Sequence, residues 1–102
     1  MTERLRREVH RLTGYRLSPE RVAAWGSLEP PPLPAMPEDL EGALCRLYVA
    51  LDARDETMKL LRRTGASPDA QRRTQAAETA DVLAAAERVK TILNHPETCH
   101  HA

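Results

Sequence analysis

The chain has 102 residues, 15 Lys+Arg against 15 Asp+Glu, and a formal net charge of zero, which allows one domain and excludes a globally basic nucleic-acid coat or a long acidic tail. Aromatics are 3% with no Phe, and the 41% hydrophobic content is mostly Leu and Ala, which favours helix over an all-β sandwich or barrel. No apolar run approaches the ~18 residues of a membrane span, and the first residues, MTERLRREVHR, are charged where a leader is apolar, so a soluble cytoplasmic protein without membrane contact is expected.

The expected fold is all-α, one small domain over 1–102: short helices in 1–28, a Pro-rich linker at 29–37, a helical hairpin over 38–94 and a tail at 95–102. Thr2 is placed to cap a first helix whose apolar stripe is Leu5, Val9 and Leu12, with Gly14 as its stop. Ser18-Pro19-Glu20 opens a second, short helix: serine caps, proline takes the first turn, and glutamate suits the positive end of the dipole. Val22 and Trp25 share one face of it, and Gly26 ends it.

Residues 29–37 hold five prolines, which remove backbone donors and predict an extended polyproline strap. It is read as a stiff spacer packed along the helices through Leu33 and Met36. A Pro-x-x-Pro ligand for an SH3-type domain is the other reading.

From Glu38 the residues Leu40, Leu44, Leu47, Leu51, Arg54, Met58 and Leu61 step alternately by four and three, a heptad seam with one polar member. Acids load the first turn and bases the last, as the macrodipole prefers. Gly65 stops this helix, and Ser67-Pro68-Asp69 starts another that runs to about Asn94. Helices over 38–64 and 68–94, equal in length and joined by a short turn, predict an antiparallel hairpin. Reflection about the turn brings Arg54 near Glu78 and Asp81, so a salt bridge that fixes register is expected there. It also gives the first long helix Val82, Leu83, Val89, Ile92 and Leu93 as large partners at the open end. At the tip, 70–81 reads AQRRTQAAETAD, and only alanines face Met58, Leu60 and Leu61.

The sequence lacks a Gly-rich phosphate loop, an HExxH pair, a nucleophile elbow and a CxxC pair, so no enzyme and no cofactor are expected. The two cysteines make no disulfide framework, and Cys45 reads as a small half-buried apolar residue. His95, Cys99, His100 and His101 gather metal-capable groups in the tail. Their spacing matches no structural zinc pattern, so they are read as incidental residues of a terminus, with a zinc site as the competing reading.

Charge is patchy. Residues 1–21 carry net +3, 29–58 net −5, 59–73 net +4 and 74–102 net −2. The bases fall into two groups: Arg4, Arg6, Arg7 and Arg11 on the first helix, and Lys59, Arg62, Arg63, Arg72 and Arg73 at the hairpin tip. Arg72 and Arg73 lie near a helix N-terminus, against the dipole.

Leu17-Ser18-Pro19-Glu20-Arg21-Val22-Ala23-Ala24-Trp25 resembles the recognition helix of Cro/repressor-type helix-turn-helix proteins, and Gly14 resembles their turn glycine. The resemblance covers about a dozen residues. Tyr15 and Arg16 lengthen the turn, and no helix precedes the first to complete the three-helix unit. The resemblance implies DNA contact through Arg16 and Arg21, aided by the four arginines of the first helix.

The leading expectation is a non-enzymatic protein-interaction module: an adaptor, an accessory subunit or a small regulator. Its expected contact residues are Met58, Lys59, Leu60, Leu61, Arg62, Arg63, Arg72 and Arg73, apolar anchors ringed by bases. A homodimer buried along the hairpin is expected because the core is thin and its two helices are unequal. The alternative is a small DNA-binding regulator dimerised through the hairpin.

Overall fold

A computed structural model describes residues 2–30 and 32–95. Among them are four helices and no strand: α1 (Thr2–Thr13), α2 (Pro19–Trp25), α3 (Glu38–Arg63) and α4 (Pro68–Asn94). The all-α fold with a long helical hairpin is as expected. Helix α1 begins at Thr2 itself, so that residue is inside the helix rather than before it.

Each end follows from local chemistry. Helix α1 ends on Gly14, whose N–H makes the last i to i−4 bond, to the His10 carbonyl at 2.7 Å, and whose φ of 80° then turns the chain out of the helix. The Ser18 hydroxyl accepts from the Arg21 N–H to start α2, and the Ser67 hydroxyl accepts from the Ala70 N–H to start α4. Between α3 and α4 the Ala66 N–H bonds the Leu61 carbonyl at 3.1 Å and the Gly65 N–H bonds the Arg62 carbonyl at 3.4 Å. With Gly65 at φ 72° this is a Schellman turn, which only a residue without a side chain enters freely.

The core lies at the open end of the hairpin. Leu40, Leu44, Leu47 and Leu51 of α3 are buried against Val82, Ala86, Val89 and Ile92 of α4. Leu5 and Val9 of α1, with Leu17 from the turn after it, complete the cluster. The second half of the seam differs: Arg54, Met58 and Leu61 are only half-buried. No residue from 52 to 81 is buried; α1 still reaches Asp55 through Arg4, and past that level the hairpin extends as a two-helix arm. Leu83, expected as a core partner, is 51% exposed. It follows the buried Val82 by one residue, about 100° around the helix, and so falls outside the seam.

The strap, 29–37, has no helix or strand among its described residues. Met36 packs against the core, which fits the spacer reading. Arg21 fastens the strap from α2: its guanidinium donates to the Pro34 carbonyl and, at 2.8 Å, to Glu41 on α3. No helix among the described residues is long and apolar enough to cross a membrane.

The uneven burial gives a directional expectation. Leu47→Ala, at a fully buried site, lowers unfolding stability by about 2–5 kcal/mol. Leu60→Ala on the arm lowers it by about 0.5 kcal/mol or less, the range for exposed substitutions. Urea denaturation of the two variants measures the contrast.

Candidate functional site

The arginines expected to touch DNA are mostly occupied within the chain. Arg4 pairs with Asp55 of α3. A guanidinium nitrogen of Arg6 donates to the Leu17 carbonyl at 3.4 Å. Arg11 makes two hydrogen bonds to Glu8, at 2.7 and 2.8 Å. Arg21 has a side chain only 11% exposed and is held by Glu41 and Pro34. The supposed recognition helix therefore points its central base inward, and Trp25 stacks edge-on against Tyr48 of α3 at 6.0 Å between ring centres. Arg7 and Arg16 remain exposed, together lining a cleft of about 310 Å³ with Arg6, His10, Leu17 and the acid Glu3.

Arg54 is a correction. Among the described residues it makes no ion pair with Glu78 or Asp81. Glu78 accepts a hydrogen bond from the Thr57 hydroxyl at 3.1 Å instead. The charge of Arg54 is felt on α1: the Arg11 hydrogen bond chiefly, with Arg54 and Arg4 adding attraction, holds the Glu8 carboxyl below its ordinary range. The seam was read against α4 alone, whereas α1 presents a carboxylate to the same stretch of α3. Burial, with Asp52 adding to it, raises the Tyr48 phenol, so the ring beneath Trp25 is neutral at ordinary pH.

The tip residues are together, as their sequence positions require, but they are not alike. Leu60 is 56% exposed. Met58, Lys59 and Leu61 are half-buried, and Lys59 lies 3.6 Å from Glu56. Arg62 and Arg63 are exposed without an ion-pair partner among the described residues. Arg72 and Arg73 lie 3.7 and 3.4 Å from Asp69. That acid in the first turn of α4 offsets their unfavourable place in the helix dipole. Val22 and Trp25 do not reach the tip: Trp25 is committed to Tyr48 and Glu41.

A surface the tip-centred reading missed lies on α3 beside its contact with α4. An apolar groove of about 440 Å³ is lined there by Gly42, Cys45, Arg46, Val49 and Ala53 of α3 and by Glu78 and Asp81 of α4. Val49 is 58% exposed. The signal was in the spacing. From Asp39 to Arg63 a second stripe, through Gly42, Val49, Ala53 and Leu60, advances by the same alternating threes and fours as the buried one. Leu60 belongs to this stripe, so the tip and the groove form one continuous face. Cys45 is half-buried beside it.

Among the described residues no three metal-capable side chains converge. His95 is exposed at the end of α4, and Cys99, His100 and His101 lie outside the described residues.

Two outcomes are expected from the ion pairs. Arg21→Met removes the link between α2, strap and α3, and lowers stability by about 1.5–3 kcal/mol, the range for hydrogen bonds to charged groups. Limited proteolysis then cuts the strap faster. The Glu8 carboxyl, depressed in the fold, contributes stability present above the ordinary carboxylate value of about 4.3 and lost as pH falls through its lower folded value. Glu8→Gln therefore flattens the acid side of the stability profile, measured by thermal melts from about pH 6 to pH 3.

No protein-family model, curated protein or solved structure matches the chain.

Proposed function

We propose that the protein is a non-enzymatic, cytoplasmic docking module that binds another protein through the outer face of α3 and the hairpin tip. The observation that carries this reading is the two-helix arm. Residues 52–81 contain no buried side chain, yet they hold Met58, Leu60 and Leu61. Folding alone gives no reason to keep a large apolar side chain at 56% exposure in continuity with a groove lined by Val49 and Ala53. A partner that covers this face gains the apolar area, and Arg62 and Arg63 at its end orient the encounter.

Duplex binding is the second reading, supported by the cleft of Arg6, Arg7, His10 and Arg16. It is the weaker one because Arg4, Arg11 and Arg21 are engaged inside the chain. A titration with DNA across salt separates the two, since phosphate contacts make affinity fall steeply with salt.

The test of the docking reading uses the full chain as bait in an extract of its source cells. Wild-type protein retains a specific partner. Leu60→Asp and the double variant Arg62→Glu with Arg63→Glu lose it while keeping wild-type helicity by circular dichroism. Helical variants that retain the same partner would remove this face from consideration. Retention of nucleic acid alone would favour the second reading.

A further inference from the structure

The outer stripe of α3 is complementary to itself when reversed. Take the residues equally distant from the level of Leu51. Val49 is matched with Ala53, Arg46 with Glu56, Gly42 with Leu60, and Asp39 with Arg63. Each match joins opposites: branched with small, base with acid, no side chain with a large one, acid with base. All eight residues are exposed. Asp39, Arg46 and Arg63 have no ion-pair partner among the described residues. At Gly42 a side chain would meet nothing within 4 Å, so there is open space where an incoming leucine can sit.

We infer that α3 pairs with α3 of a second copy, antiparallel about a two-fold axis at the level of Leu51. The inference rests on the docking reading of this face and names its occupant. A two-fold interface uses the same patch on both copies, so each match occurs twice. Leu60 of each copy lies over Gly42 of the other, and Val49 packs on Ala53. Small residues at two positions let the helix axes approach to about 8 Å. Arg46 reaches Glu56 and Asp39 reaches Arg63, which selects this register over one displaced by a heptad. A heptad shift one way would set Leu60 against Val49 and Arg63 against Arg46, and the other way would set Asp39 against Glu56 and carry Leu60 past the end of α3. The alternating three-and-four spacing is that of a left-handed coiled coil, in which the seam faces its partner along the whole stripe. At 1.5 Å per residue the stripe extends ~36 Å, and the groove side of α4 adds Glu78 and Asp81 along its edge.

The experiment is a charge swap read by sedimentation of the full chain, from about 1 to about 100 μM, with circular dichroism as the folding control. Wild type is expected to dimerise in the micromolar range. Arg46→Glu sets like charges together twice and is expected to weaken association roughly tenfold or more. Adding Glu56→Arg to Arg46→Glu restores it. Positions 46 and 56 are ~15 Å apart along one helix, too far for rescue within a single chain. A dimer that ignores Arg46→Glu would overturn the inference, and so would a loss that the second change does not repair. Wild type that stays monomeric throughout the range would overturn it too. In that last case capture of another protein, lost in Leu60→Asp, leaves the docking reading standing. A dimer that obeys the charge swap, with no other protein captured, keeps this face as a contact surface and removes only the reading that its occupant is a different protein.

Discussion

Everything above the hairpin depends on α1 filling the seam beside it. Two helices alone share one narrow contact, and two-helix contact leaves each with most of its surface in water. Leu5 and Val9 close the open side of that seam over Leu44, Leu47 and Leu51, and the side chains there reach full burial only because a third layer exists. Full burial stops at Leu51, one turn short of the level that α1 reaches through Arg4 and Asp55. The transition is sharp: Leu51 and Val82 are buried, and no residue between them is.

Arginine is the residue that fastens the N-terminal layer. Arg4 ties α1 to Asp55, Arg6 ties it to the chain after Gly14, and Arg21 ties α2 and the strap to Glu41. A long flexible side chain with a planar fork spans from one layer to the next more readily than another leucine would. The zero net charge of the chain thus hides a division of labour. Arg4 and Arg21 pair with the negative middle segment and Arg11 with Glu8 on its own helix, while Arg62 and Arg63 at the tip have no acid partner among the described residues.

The helices were legible because their punctuation is strong. Ser-Pro-acid starts at 18 and 67 and glycine stops at 14 and 65 each act within a few residues, and local chemistry of that kind is written locally. The buried seam was legible through Leu51 and failed at Arg54. Reflection about a turn locates the neighbour in a hairpin, and nothing in that operation knows where a third helix lies. The same blindness applied to Leu83, placed in the core by hydrophobicity and outside it by its angle. The tip was legible as a cluster of Met58, Leu60 and Leu61. The stripe running back from Leu60 to Gly42 was overlooked because glycine, alanine and arginine do not look like a contact surface until the leucines on the other side are known to be fully used.

The turn at Gly65 also governs how the arm moves. Its loop is short and closed by its own backbone hydrogen bonds, so little entropy is needed to bring the two strands of helix back together after they part. With no buried side chain beyond Leu51, parting at the far end is cheap as well. The hairpin is therefore held by packing at its root and by its turn at its closed end. A molecule that covers the arm would supply the packing that the closed end lacks, and any ordering of side chains there is subtracted from its affinity.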